Sequence, residues 1–314
     1  MGKIGRTAFV GTVLGWAAAA AAQGGPPASP AAPPPAAAPP AATPRLATPD
    51  AFHAEIVRLY SMSAEQLQNK DGLTGQSSLL DNFWNMVKAD RPTYLPMLRA
   101  ELARTDNPAI FYFDGAELLR DASADRADWQ LALGVIERLP RIPRGHYILA
   151  VNWYANHGFD TRRAAFRFLE QPEETIYVQT GFHFFSYSTV EAMVFSLFPM
   201  DENVFLGDLV ARAQTATNDM ELFALLHCIW AVATPESRAA LRAFADNPAR
   251  KREARDYARE MLTHESEGPM PTESAAELRA ARREVLRNPF VHGGFERFHE
   301  ISDRLARVVR AASS

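Results

Sequence analysis

The chain has 314 residues, of which 47% are hydrophobic and 22% charged, and its formal net charge is −4. This is the composition of an ordinary globular protein with enough apolar material for a sizeable core. The mildly acidic charge excludes nucleic acid as a partner, because nucleic-acid recognition needs a basic surface. The one cysteine, Cys228, excludes an internal disulfide bond, and we expect it to be a buried, inert thiol.

Residues 1–22 have the pattern of a secretory signal peptide. Two positive charges come first, residues 8–22 carry no charge, and small residues allow cleavage before Gln23. The uncharged stretch is shorter than the roughly 20 residues of a membrane-spanning helix, so an uncleaved anchor is only the alternative. We therefore expect a periplasmic or secreted protein, whose net charge changes from −4 to −6 when the two positive charges are removed.

Residues 23–49 are predicted to form a disordered linker rich in proline and alanine. Ten of the 22 prolines lie between positions 24 and 49. Because proline fixes φ and has no amide donor, this composition favours extended polyproline II over helix or sheet. A spacer that carries the folded part away from the membrane or wall fits this composition, and so does a leader without a role of its own.

From Asp50 onward, apolar residues recur at spacings of three and four between polar breaks, which is typical of amphipathic helices. Helical hairpins are predicted to begin at intervals of 35, 34, 41 and 33 residues, near Arg91, Arg126, Asp160, Asp201 and Thr234. This spacing predicts an all-α fold, an α-α superhelix of stacked helical hairpins, over residues 50–264.

The tetrapeptide Asp-Asn-Pro-Ala occurs at 106–109 and again at 246–249, a separation of 140 residues or four units of 35. Asparagine followed by proline is a favourable helix start, because the side chain caps free amides and the missing N–H of proline costs nothing at the first helical position. We therefore predict that Asn107 and Asn247 begin helices, and that Thr234-Pro235 does the same.

The run from Asn247 to Leu262, with its spaced alanines and terminal leucine, resembles the second helix of a HEAT-like repeat, and residues 160–169 are similar. Tetratricopeptide repeats have the same length, but their tryptophan, glycine and tyrosine positions do not recur together here. The HEAT-like resemblance covers residues 91–264. Stacked hairpins of this type form a long surface suited to a protein or peptide partner.

The interval of 41 residues contains a segment near 173–187 that is rich in β-branched and aromatic residues around Gly181. We predict an irregular insertion, either an extended loop or a short hairpin. Inserted loops often carry the binding function of a repeat array, although such a segment equally well fills one end of the core. Candidate binding residues in and near it are Tyr154, His157, Tyr177, His183 and Tyr187.

Residues 265–314 are predicted to form a C-terminal helical cap. Apolar residues from Phe295 to Val309 line one face of the last helix, and arginines line its outer side. Solenoids need such a polar outer face at each end. A helix on a membrane surface or against a partner is the alternative, but the acidic residues among the arginines favour the cap.

One group of residues suggests catalysis, and it lies between positions 152 and 163. Its side chains are those with which a polysaccharide lyase neutralises a carboxylate, removes a proton and protonates a leaving oxygen: Asn152, Tyr154, His157 and Arg162. The group resembles that of exported alginate-type lyases, which are α-helical toroids, although its order and spacing differ. In a purely structural interpretation, Trp153 and Tyr154 pack between helices and residues 156–158 end a helix.

Motifs for hydrolases, dinucleotides, phosphate loops and helical zinc sites are missing from the sequence, and the other histidines show no ligand spacing. We therefore expect no cofactor and no metal. The favoured hypothesis is a non-enzymatic scaffold that binds a protein or peptide and is associated with the cell envelope. The alternative is an exported polysaccharide-lyase-like enzyme on an α/α toroid.

Overall fold

The computed structural model describes residues 46, 48–62, 79–140, 144–170, 176–180, 183–264, 269–287 and 293–312. The predicted signal peptide and almost all of the predicted linker lie outside these residues. The chain divides into two compact units, residues 1–101 and 102–314. Within the described ranges the structure contains 14 α-helices, one 3₁₀-helix and one two-stranded sheet.

The first unit contains α1 (Pro49–Tyr60), α2 (Leu79–Ala89) and most of α3 (Arg91–Ala103). Helix α1 begins where Thr48 accepts a hydrogen bond from the amide of Ala51, which satisfies one of the free donors at the helix start. The core of this unit is aromatic, since the ring of Phe52 packs 5.3 Å from Phe83 and 5.7 Å from Tyr94.

The second unit continues the helical pattern, with one short sheet. Its elements in chain order are α4 (Ala109–Ala122), α5 (Arg126–Glu137), α6 (Arg144–Asn156), α7 (Arg162–Phe166), a 3₁₀-helix (Arg167–Leu169), β1 (Ile176–Thr180), β2 (His183–Tyr187), α8 (Thr189–Leu197), α9 (Glu202–Thr215), α10 (Asp219–Val232), α11 (Pro235–Asp246), α12 (Arg252–His264), α13 (Ala275–Leu286) and α14 (Gly294–Ala312). Four sequential pairs pack most extensively, namely α4 with α5, α9 with α10, α11 with α12 and α13 with α14. The predicted all-α fold of helical hairpins is confirmed.

Most of the predicted hairpin boundaries are true helix starts, and three of them have a polar cap. Helices α5, α9 and α11 follow Asp125, Asp201 and Thr234, and each of these side chains accepts a hydrogen bond from a free backbone amide. One assignment is wrong. Helix α5 pairs with α4, so Arg126 begins the second helix of a hairpin that starts at Ala109.

The two Asn-Pro sequences are not equivalent in the structure, and the prediction that asparagine caps both helices is wrong. Before α4 the N-cap residue is Pro108, whose side chain has no group that could accept a hydrogen bond. Asn247 instead ends α11, and its Oδ1 accepts a hydrogen bond from the amide of Ala249 at 3.0 Å. Because the asparagine side chain forms this local turn, the next helix begins only at Arg252.

The predicted insertion contains a short antiparallel hairpin. Ile176 pairs with Tyr187 and Thr180 with His183. Strand β1 packs on α6 and β2 packs on α8, so the hairpin covers part of the helical core. The side chains of residues 176–180 and 183–186 lie outside the described part of the structure.

Helix α10 lies at the centre of the second unit and is buried from Ala224 to Val232. The amphipathic face predicted for α14 is buried too, through Phe298, Ile301, Leu305 and Val309, and α14 packs against α10 and α13. The apolar face of α14 is therefore not available to a membrane surface. Among the described residues, no helix is both long and apolar enough to cross a membrane.

A buried ion pair joins four of these helices. Arg282 of α13 is fully buried and donates to the carboxylate of Glu202 on α9 and to the carbonyl of Ala231 on α10. It also donates to Ser302 Oγ on α14 at 3.3 Å. A buried arginine is tolerated only when such partners compensate for its lost hydration, so this side chain fixes the mutual positions of the helices.

Candidate functional site

The most distinctive polar and aromatic surface of the second unit is formed by the end of α4, the start of α5 and the end of α6. We call its five rings the aromatic cluster: Trp129, Trp153, Tyr154, His157 and Phe159. The sequence folds this way because Gly158, at φ 74°, turns the chain after α6, a conformation that favours glycine. The amides of Gly158 and Phe159 donate to the carbonyls of Ala155 and Tyr154, both at 3.1 Å, which is the Schellman pattern.

The outer part of the aromatic cluster is a rigid stack. Trp153 and His157 lie four residues apart and therefore share one face of α6, and their rings stack with centroids 3.7 Å apart. Trp129 meets both rings edge-on, at 5.1 Å and 5.9 Å. Its indole N–H donates to the carbonyl of Ser123 at 2.9 Å. The two tryptophans are half-buried and His157 is exposed, so this stack is part of the surface.

Two arginines contact rings of the cluster. The Arg120 guanidinium lies 5.0 Å from the centre of the Trp153 ring, and that of Arg126 lies 4.2 Å from the Phe159 ring. Arg126 also donates to the carbonyls of His157 and Gly158 at 3.1 Å and 3.0 Å. It thereby satisfies acceptors that the end of α6 leaves without helical partners and connects α5 to α6.

Two acidic residues pair with Arg120, the arginine that contacts Trp153. Arg120 donates to Glu117 at 2.8 Å and to Asp121 at 2.8 Å. Burial raises the pKa of Glu117 to about 7, although Arg120 opposes the rise. The Tyr154 hydroxyl is buried and has no hydrogen-bond partner among the described residues, and burial, with a further contribution from Glu117, raises the pKa of this phenol far above its ordinary value. Such shifts are frequent at functional sites, but structural ion pairs produce them too.

The four residues of the lyase hypothesis have different surroundings. Asn152 is 3% exposed and its amide donates to the carbonyls of Phe195 at 2.7 Å and Leu286 at 3.0 Å. Both of its N–H groups are thus occupied. The Arg162 guanidinium pairs with Asp160 at 2.6 Å and Asp208 at 2.9 Å. With Tyr154 fully buried, these groups do not converge on one accessible space where a sugar carboxylate would bind.

The candidate binding residues are also divided by the structure. His157 is exposed, whereas Tyr154 is 0% and Tyr187 is 5% exposed, and Tyr187 packs edge-on against Phe195. The rings of Tyr154 and Tyr187 therefore belong to the core, and of the described candidates only His157 is exposed. The side chains of Tyr177 and His183 lie outside the described residues.

Sequence reasoning missed Trp129, Arg120, Arg126 and Glu117 as members of the site. Each is an ordinary residue of its own helix, and the two arginines reach the rings at the end of α6 only because α4 and α5 pack beside it. The one available signal was the Trp153-x-x-x-His157 spacing, which places both rings on one helix face. Nothing in that spacing indicates that α4 and α5 complete the stack.

Other chemically notable groups are structural. Cys228 is buried, as expected, and burial raises the pKa of its thiol to about 12. His227 packs against Trp230, Phe295 and His299 at ring distances of 5.4, 5.9 and 5.4 Å, and burial lowers its pKa to about 3. In the described part of the chain, no group of three or more His, Cys, Asp or Glu residues is arranged to hold a metal ion.

A small cavity of about 170 Å³ lies elsewhere, between α9, α10 and α11. Leu226, Ile229 and Phe244 contribute apolar surface, and Arg250 lies at its edge. The Arg250 guanidinium is itself occupied, since it donates to the carbonyl of Gln214 and lies 5.2 Å from the Phe244 ring. The cavity is lined by both apolar and polar residues.

Comparison of the chain with models of known protein families, with curated proteins and with solved structures finds no match. The sequential pairing of helices is compatible with a helical repeat.

Proposed function

We propose that this protein is an exported HEAT-like helical-repeat scaffold that binds a protein or peptide partner through the aromatic cluster. The observation that carries the proposal is the half-buried Trp129–Trp153 pair with the exposed His157 stacked on it and Arg120 and Arg126 at its sides. Tryptophan, tyrosine and arginine are the residues enriched in the energetic centres of protein interfaces.

The rigidity of the cluster supports the same proposal. Rings that are already fixed by stacking, by an indole hydrogen bond and by arginine contacts lose little side-chain entropy when a partner arrives. Mobile exposed side chains, in contrast, must first be immobilised, at about 0.5–1.5 kcal/mol each. A preformed aromatic surface on a stack of helices is therefore suited to binding.

The proposed compartment rests on the sequence of residues 1–49. A charged start, an uncharged segment and small residues before Gln23 support export, and the proline-rich residues support a spacer in the periplasm or cell envelope. Fractionation of cells and N-terminal sequencing test this part. A mature chain that begins at Gln23 in the periplasmic fraction is the expected result, and a cytoplasmic chain that retains Met1 would refute it.

Site-specific photocrosslinking tests the binding surface. His157 is replaced by p-benzoylphenylalanine, which keeps a ring beside Trp153, and the protein is irradiated in an envelope extract of the organism that makes it. His146, an exposed histidine on the same helix, is the matched control position. We expect a discrete covalent adduct from position 157 and none from position 146. Identical bands from both positions, or no adduct from position 157, would contradict the proposal.

A further inference from the structure

The Glu117 side chain is chemically unusual because it combines burial with a position between charged and aromatic groups. It is 15% exposed, and its carboxylate accepts a hydrogen bond from Arg120, which is 12% exposed, at 2.8 Å. The same Arg120 guanidinium lies over the Trp153 ring, which is stacked on His157. A continuous chain of contacts therefore leads from a buried carboxyl to the exposed imidazole.

We propose that Glu117 is a positioning residue whose ionisation holds Arg120 on Trp153 and thereby makes the aromatic cluster, and partner binding to it, respond to pH. The inference rests on the proposed function for its biological meaning, but the structural response of the cluster does not depend on a partner.

When Glu117 is ionised, its carboxylate attracts the Arg120 guanidinium in the observed position over Trp153. When the carboxyl is protonated, it no longer carries the negative charge that attracts Arg120, and Asp121 is the carboxylate that still pairs with Arg120. Asp121 follows Arg120 directly in the sequence and is 28% exposed, so a guanidinium held by Asp121 alone is drawn toward the surface. The contact with Trp153 then weakens.

The Tyr154 hydroxyl is a second polar group whose surroundings depend on the charge of Glu117. It is fully buried and has no hydrogen-bond partner in the described part of the chain, which is costly in a protein interior. Glu117 and Arg120 are close enough for their charges to act on the phenol. Protonation turns the Glu117 carboxyl from an acceptor only into a group that also donates, whereas the phenol is a donor in both states.

The groups that face Glu117 allow this change to occur near neutral pH. On α4 they are Asp114, Arg120 and Asp121, and on α6 the group is Tyr154. On α5, the helix packed against α4, Asp128 accepts a hydrogen bond from Ser123 and Arg126 donates to the end of α6. Burial dominates this environment and raises the pKa of Glu117 to about 7. The carboxyl therefore changes its charge within the pH range that an exported protein meets.

A pH titration of the full chain tests the inference. Indole ¹⁵N–¹H NMR, with Trp153 assigned through Trp153→Phe, is recorded from pH 5 to pH 8.5. We expect the Trp153 resonance to shift with a midpoint near pH 7, the pKa of Glu117. Glu117→Gln is expected to abolish the shift, and His157→Asn to preserve it, which excludes the stacked imidazole as its source.

Three results would overturn the inference: no Trp153 shift near neutral pH in the wild type, a shift that persists in Glu117→Gln, or a shift that His157→Asn abolishes. Should Glu117→Gln not fold, Arg120→Lys serves instead, because the charge remains while the planar group over Trp153 is lost, and the shift is expected to shrink. A full-sized shift in that variant would equally overturn the inference.

The crosslinking variant at position 157 extends the test to binding. Because it has no imidazole at that position, an effect of pH on its adducts does not come from His157. Its adduct yield is expected to fall from pH 8 to pH 6, and an equal yield at both values would refute the link to binding. A pH-dependent shift of the Trp153 resonance without any crosslinked adduct from position 157 would refute only the proposed function, and the structural response of the cluster to pH would stand.

Discussion

The buried ion pair between Arg282 and Glu202 allows a sharp prediction about stability. Substituting Glu202→Gln keeps the size of the side chain and removes the charge that compensates Arg282. Arg282 is 0% and Glu202 6% exposed at the side chain, so solvent does not replace the lost partner. Burial lowers the pKa of Arg282 to about 10, which leaves it charged at pH 7.

The magnitude follows from what remains around the guanidinium. After the substitution, Arg282 keeps the Ala231 carbonyl, Ser302 Oγ and the rings of Phe198 and Phe298, at 5.0 Å and 5.4 Å. None of these carries a negative charge. Breaking a buried pair by removing one partner typically costs about 3–5 kcal/mol, and we expect a loss in the unfolding free energy of that size.

Urea denaturation followed by far-UV circular dichroism measures the loss in the unfolding free energy. The double variant Glu202→Leu/Arg282→Met is expected to recover most of it, since replacing both charges by apolar side chains is often neutral. Glu300→Gln, at an exposed position of α14, is the control and should change stability by no more than about 0.5 kcal/mol. A loss below about 1 kcal/mol for Glu202→Gln, or a double variant as unstable as the single one, would refute the reasoning.

Three further predictions concern other parts of the second unit. Because the folded pKa of Glu117, about 7, exceeds its ordinary value of 4.5, the stability that this group contributes is complete below pH 4.5 and is lost as the pH rises through 7. Because of this group, the unfolding free energy should therefore be about 2 kcal/mol higher at pH 5 than at pH 8. A wild type with the same pH dependence as Glu117→Gln would contradict the assignment. Thr234→Ala removes the hydrogen bond from the Ser237 amide to Thr234 Oγ1 at 3.1 Å and should cost about 1 kcal/mol in urea denaturation, against almost nothing for Thr215→Ala at the exposed end of α9. Iodoacetamide at pH 8 should label Cys228 only in denaturant, since the thiol is buried and its pKa is raised; rapid labelling of the native protein, seen by mass spectrometry, would disprove its burial.

The sequence by itself determined the fold class and most helix boundaries. Polar caps such as Asp125, Asp201 and Thr234 satisfy amides of their own helix, and such local hydrogen bonds depend only on neighbouring residues. The end of α6 is also determined locally, because Gly158 adopts a positive φ there. The period of the apolar residues in α14 likewise identified the face that is buried.

The sequence was not sufficient to predict the role of a repeated short motif or the pairing of neighbouring helices. Asn107 and Asn247 lie in the same tetrapeptide, yet one precedes a helix and the other ends one. The pairing of α5 with α4, which corrected the hairpin assignment, is likewise seen only in the tertiary contacts.

The tertiary structure alone decided the candidate site. Tyr154 and Tyr187 are attractive interface residues by type, but burial places them in the core, and Asn152 is occupied by carbonyls from Phe195 and Leu286 far away in the sequence. The surface stack instead depends on Arg120 and Trp129 reaching α6 from two other helices. Side-chain type and spacing specify what one helix presents, whereas exposure, pKa and the partners of a charge depend on the helices that pack around it.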